Sequence, residues 1–220
     1  MTGAAFEARI AAGSGVTVLC SGGNPSRLKS ELDAVDSSRF CAVLSFGLAG
    51  GLDPALRAGD LIVASHVTSE AETWHSTKTM AGVLSSACHP IEIKLGSLAG
   101  VDAPVMHAHG KAALRAATGA AAVDMESHIT ARFATSRKLP WSSLRVVCDA
   151  ADRPLPALAK QALKPNGKID LAGVLKDLAR EPRQALPMIR TGRDTAVAVA
   201  ALRRARGLLG AGLGLGPANL

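Results

Sequence analysis

Tyrosine is absent from this chain, and its 220 residues include only four Phe and two Trp. Proteins that hold exposed bases stack them on aromatic faces, so this scarcity argues against a nucleic-acid partner despite a pI near 9.6. The basicity is also local: Lys176 to Arg206 holds eight Lys and Arg against three Asp and Glu. Cysteines are few. Cys20, Cys41, Cys88 and Cys148 are too far apart in sequence for a metal knuckle or a redox pair, and the expectation is buried, reduced thiols. His107 and His109 form a close pair with no third ligand nearby in sequence, so no metal is expected. Long apolar runs are missing as well. The longest uncharged stretch, Ile10 to Ser26, has 17 residues broken by Gly, Ser, Asn and Pro, whereas a membrane span needs about 20 mostly apolar ones. No basic region followed by an apolar core opens the sequence, so a cytoplasmic protein is expected. Gly-x-Gly-x-x-Gly, a Walker loop and Gly-x-Ser-x-Gly are also absent, which removes support for dinucleotide, P-loop and serine-hydrolase readings.

What is present is a series of short apolar runs, most of them ending in Gly or turn residues. Val16–Cys20, Cys41–Phe46, Leu61–Val67, Ala120–Val123 and Leu144–Cys148 read as strands. Gly47 follows the second run, with a turn expected at Ala49-Gly50-Gly51. Helices are expected over residues 27–35, 127–138, 171–178 and 195–209. Strands apolar on both faces and separated by helices predict an α/β fold: a three-layer domain whose mixed, mostly parallel twisted sheet is covered by helices. Residues 1–153 form the expected core and residues 154–220 a helical extension of the same domain. The connection through Pro154, Pro156, Pro165, Asn166 and Gly167 reads as loop, and Gly210 to Leu220 as loose chain. Met1 and Thr2 precede Gly3 directly, leaving no room for a full first strand.

Ligands in such sheets sit at the carboxyl ends of strands, and acids and glycines gather there. Phe46 to Ser65 reads FGLAGGLDPALRAGDLIVAS, a glycine cluster that lets backbone amides approach a ligand. Ala122 to Ser127 reads AVDMES. There Asp124 and Glu126 either accept a sugar diol or cap the following helix. Asp149 closes the run LRVVCD. An acid at the end of a buried strand is poorly solvated and holds a proton more readily, which suits a general acid; a helix cap is the other reading. Glu7 beside Arg9 is either a water-activating base or an exposed ion pair.

In this order the three segments resemble the superfamily of purine nucleoside phosphorylases and methylthioadenosine/adenosylhomocysteine nucleosidases. The likeness covers residue 3 to about 153. GAAFEARI at Gly3–Ile10, SFGLAGGLDP, TGAAAVDMES and the Pro-rich stretch after Asp152 resemble the hopanoid-associated phosphorylase branch most closely. The resemblance implies cleavage of an adenine nucleoside substituted at the 5′ position, adenosylhopane in that branch. It implies no metal or organic cofactor, inorganic phosphate being a candidate co-substrate, and a homo-oligomer, either a dimer or a trimer of dimers.

By the same resemblance Glu126 binds the ribose hydroxyls and Met125 lies against the sugar. Asp149 protonates the leaving purine, and Glu7 activates water. Gly3, Gly47, Leu48, Ala49 and Gly50 form the loop for water or phosphate; Gly22 and Gly23 belong to a second loop, and Val123 and Cys148 lie on the base side. Two positions depart from the family pattern. Leu48 stands where a Ser or Thr hydroxyl is usual, which favours hydrolysis over phosphorolysis and would leave phosphate to backbone amides and Arg27 or Arg57. Cys148 stands in place of a serine. A large apolar 5′ group would need an apolar opening; residues 190–209 either touch the inner membrane surface there or form a C-terminal helix packed on the sheet with its arginines solvated. A binding module without catalysis, for a nucleoside or a lipid, is the other class of function the sequence allows.

Overall fold

The predicted runs become strands where a neighbouring segment lies alongside them. The computed structural model describes every residue except 71, 90, 159–166 and 216–220. Among the described residues the strands are β1 (Val43–Gly51), β2 (Leu61–Ser69), β3 (Glu72–His75), β4 (Ile93–Gly100), β5 (Ala122–Asp124) and β6 (Trp141–Asp149). The helices are α1 (Ala5–Ala11), α2 (Pro25–Asp33), α3 (Lys78–Ala87), α4 (Ala108–Thr118), α5 (Ser127–Ser136), α6 (Leu171–Arg180) and α7 (Ala185–Leu209).

The sheet runs β3-β2-β4-β5-β1-β6. Its long ladders are parallel (β1 with β6, β2 with β4), while β3 and β5 add antiparallel pairing. β6 also pairs antiparallel with β2 through Leu61–Val63, so the sheet closes on itself. Alternation along the strands then divides the core. Leu61 and Val63 of β2 face one cluster with Leu144, Val146, α3 and the end of α7, whereas Ile62 and Ala64 face another with α2 and α5. The result is the expected three-layer α/β arrangement.

Several sequence expectations need correction. Val16–Cys20 is not a strand: it makes only the isolated bridges Gly13–Val16 and Thr2–Cys20. Its partner is Thr2, which donates to Leu19 O and accepts from Ser21 N, while Met1 bonds Leu44 O and Phe46 N on the other side. Two residues cannot hold a ladder. The turn at Ala49-Gly50-Gly51 is also absent, because β1 continues through these residues, Leu48 opposite Val146 and Gly50 opposite both Val123 and Asp149. Cys41 is exposed rather than buried, at the edge before β1; Cys20 and Cys148 are half-buried, and only Cys88 is fully enclosed. Residues 210–215 are packed rather than loose. Leu213 and Leu215 are buried, and Gly212 N donates to Ser14 O. Pro165 and Asn166 of the expected loop, and residues 216–220, lie outside the described residues.

Candidate active site

The site is built where β1, β5 and β6 end and α1 begins. β6 carries one charge in its interior, Arg145, whose side chain is completely buried. A lone buried guanidinium would be prohibitively costly, so its partners define the site. Nε pairs with Asp124 Oδ2 at 2.8 Å and Nη2 with Glu126 Oε2 at 3.4 Å. Nη2 also donates to Ser45 Oγ at 2.6 Å, and Nη1 to Leu48 O at 3.3 Å.

Of the two acids of the AVDMES segment, Asp124 takes the capping role. Asp124 Oδ1 accepts Glu126 N at 3.0 Å and Ser127 N at 2.8 Å, which fixes the start of α5. Glu126 turns the other way. Its Oε1 accepts the Ser21 hydroxyl at 3.0 Å, and Gly3 lies so close that a Cβ there would stand 2.8 Å from Oε1. Burial, with Asp124 and Glu7 nearby, pushes the Glu126 carboxyl up to about 7, although Arg145 opposes the rise. Met125 between them is half-buried.

Glu7 is not a surface partner of Arg9: it is 4% exposed, while Arg9 points outward and bonds Ala5 O. Its Oε2 accepts Gly3 N at 2.8 Å and Ala4 N at 2.7 Å, and its Oε1 accepts Leu48 N at 2.8 Å. Burial raises its proton affinity against the pull of Arg145 and of these three amides. Gly47 makes this approach possible, since a Cβ there would sit 2.7 Å from Glu7 Oε1 and 2.8 Å from Arg145 Nη1. The second loop closes on the same point: Gly23 N donates to Gly3 O at 3.1 Å and to Ser21 Oγ at 3.0 Å. Gly22 and Gly23 both adopt positive φ there.

Asp149 ends β6 with loop rather than helix after it, so it is not a helix cap. A register shift beside it places Gly50 opposite Asp149, and a Cβ on Gly50 would lie 3.3 Å from both Asp149 Oδ2 and Val123 Cγ1. Such irregularities re-aim side chains at strand ends. Cys148 Sγ donates to Asp149 Oδ1 at 3.0 Å, and burial pushes the thiol well above its usual range. The buried Lys111 ammonium of α4 pairs with Asp149 Oδ2. Of the first loop, Gly3, Gly47 and Leu48 meet at Glu7 and Gly50 at Asp149, whereas the Ala49 side chain turns into the core. Past Asp149, residues 150–153 line a cleft of about 1110 Å³ with Leu52, Arg57 and Ala112.

Arg145 and Lys111 were missed by the sequence reading. For Arg145 a signal existed, a single charge inside an otherwise apolar strand. Lys111 gave none, because its partners lie some 40 residues away and nothing local marks it. No cluster of three or more metal-ligating residues occurs among the described residues.

A protein-family model described as the phosphorylase superfamily matches residues 3–180. The chain belongs to the phosphorylase superfamily. Among solved structures this superfamily member is similar to futalosine hydrolase of Helicobacter pylori, with 21% identity, TM-score 0.58, and coverage of 74% of this chain and 78% of that one. It is likewise similar to 5′-methylthioadenosine/S-adenosyl homocysteine nucleosidases. The Helicobacter pylori enzyme shares 20% identity (TM-score 0.56, 72% and 76% coverage) and the Campylobacter jejuni enzyme 15% (TM-score 0.56, 81% and 76%). No curated protein sequence matches the chain.

Proposed function

We propose that this superfamily member is a nucleosidase that cleaves the N-glycosidic bond of a 5′-substituted adenosine and releases adenine. The observation that carries the reading is the convergence of Glu7, Glu126 and Arg145 on Gly3 and Gly47, with Asp149 at the end of the strand that bears Arg145. Breaking this bond needs three things: charge stabilisation at the sugar, a base for water, and a proton for the leaving purine. Glu126 accepts the ribose hydroxyls and faces the developing positive charge, with Met125 against the sugar. Glu7, its proton affinity raised by burial, takes the proton from water as the oxygen adds to C1′. Asp149 delivers a proton to the imidazole nitrogen of the base, flanked by Val123 and Cys148.

Water rather than phosphate is the favoured nucleophile. The Leu48 amide, a donor an anion would need, is already bonded to Glu7. Arg145 is paired with Asp124 and Glu126, and Arg27 pairs with Glu31 on α2. The solved relative of Helicobacter pylori that holds 5′-methylthioadenosine in its active site supports an adenosine substrate. Adenosylhopane, the substrate suggested by the sequence resemblance, is the specific candidate. Its apolar 5′ group would bring the enzyme to the inner membrane surface from the cytoplasm, as a homo-oligomer. Any membrane contact would run through the exposed Leu186, Ile189 and Val197. In the later half of α7 one face, with Ala198, Leu202, Ala205 and Leu209, is buried in the core, and the other leaves Arg203, Arg204 and Leu208 exposed.

Site variants test the assignment. Asp149→Asn should lower adenine release about 100-fold or more while the unfolding transition stays cooperative. An Asp149→Asn protein as active as its parent would remove Asp149 from the reaction. Tight binding of adenine nucleosides by the parent with no release of base would favour the binding module instead. Leu48, in the place of a hydroxyl, is the feature that speaks for that second reading.

A further inference from the structure

Lys111 is 1% exposed and sits in the first turn of α4. This is a poor place for a cation. Burial strips its water, and the N-terminal end of a helix is the positive end of its dipole. Three acceptors offset the cost: the Asp149 carboxylate, Ala150 O at 2.7 Å and Arg153 O at 3.1 Å. All three belong to the end of β6 and the loop after it, so one ammonium ties α4 to the leaving-group side of the site. The second oxygen of Asp149 accepts the Cys148 thiol. Both carboxylate oxygens are therefore acceptors, yet the proposed reaction requires Asp149 to give a proton away.

We infer that Lys111 is a positioning residue that supplies this proton through Asp149. The inference rests on the nucleosidase reading. In the step, the C1′–N9 bond breaks and its electron pair goes to the base. A proton passes from Lys111 Nζ to the Asp149 carboxylate, and from there to the imidazole nitrogen of the base. Water adds its oxygen to C1′ and gives a proton to Glu7, while Lys111, left as a neutral amine, is reprotonated from solvent. Such a pair keeps a donor available at a pH where a lone aspartic acid would have lost its proton. It also explains how the site works with Cys148 in place of serine, since the ammonium orients the carboxylate.

The other groups around the pair are few. Cys148 of β6 donates to Asp149, and Glu7 of α1 lies within electrostatic reach of Cys148. The Arg153 guanidinium turns away to Asp194 of α7, and His107 and His109 at the start of α4 are exposed and stacked on each other at 5.3 Å.

The test is base release against pH for the parent, Lys111→Met and Lys111→Arg, each checked for a cooperative unfolding transition. Lys111→Met should lower kcat about 100-fold or more at neutral pH with KM little changed, a loss the size of general-acid catalysis. The deficit should shrink as the pH is lowered, because solvent protons then replace the missing donor. Lys111→Arg keeps the cation but does not yield a proton, so its kcat should stay low at neutral pH. A Lys111→Met deficit that is constant with pH would reduce Lys111 to a structural role. Recovery to near-parent kcat in Lys111→Arg would leave it a counter-charge only. Either result overturns the inference, and if Lys111→Met does not fold, Lys111→Arg decides alone. A parent that releases no base defeats the nucleosidase reading and this inference together, whereas an active parent with either contrary variant result defeats the inference only.

Discussion

Arg145 neutralises a cluster of carboxylates that could not otherwise be buried together, pairing with Asp124 and Glu126 and lying beside Glu7. Glu126 still carries the strain of its surroundings, as its rise from 4.5 to about 7 shows. A carboxyl whose proton affinity is higher in the folded state than in the unfolded chain stabilises the fold at low pH. That contribution is complete below about 4.5 and is lost as the pH rises through about 7. The stability of the parent relative to Glu126→Gln should therefore fall between these values by on the order of 3 kcal/mol, then level off. Thermal unfolding of both proteins across the window measures this, and a difference independent of pH would contradict it. Asp149 stood out in the sequence because an acid at the end of an apolar run is conspicuous, whereas Glu126 was singled out over Asp124 only by the family resemblance. Lys111 was not, because a long side chain finds its partner through the tertiary fold rather than through sequence spacing.

Among the elements, α7 shows most clearly how local reading and packing differ. The sequence left residues 190–209 either against a lipid surface or packed on the sheet with their arginines solvated; Ala198, Leu202, Ala205 and Leu209 pack one face into the core while Arg203 and Arg204 stay exposed. The preceding turns, with Leu186 and Ile189 more than half exposed, carry no such load. Leu202→Ala should cost about 2–5 kcal/mol, while Leu186→Ala should stay within about 0.5 kcal/mol. Denaturant unfolding compares the two, and equal effects would mean that α7 does not pack as described. β1, β2 and β6 lie close to their expected positions, whereas β4, paired with β2 along its length, was not expected. Val16–Cys20 has the composition of a strand but lacks a partner of its length, and composition cannot report the partner. β1 ran further than expected because its glycines serve close approach rather than a turn: Gly47 admits Glu7, and Gly50 admits Asp149.

At the scale of the whole molecule, closure of the sheet through β2 and β6 holds the ends of β1, β5 and β6 in fixed relation, and α1 and the second glycine loop are packed against them. The α/β class followed from alternating strand and helix signals, whereas closure could not be read because it depends on a non-local antiparallel pairing. No helix among the described residues is long and apolar enough to cross a membrane. The Leu48 amide and the Glu7 carboxylate occupy each other, which leaves that amide unavailable to an anion. The most direct test is adenine release from 5′-methylthioadenosine in phosphate-free buffer, followed by chromatography together with the sugar product. Free adenine and an unphosphorylated sugar, formed at a rate unchanged by added phosphate, are predicted. Release that depends on phosphate and yields a sugar 1-phosphate would contradict the account at its centre.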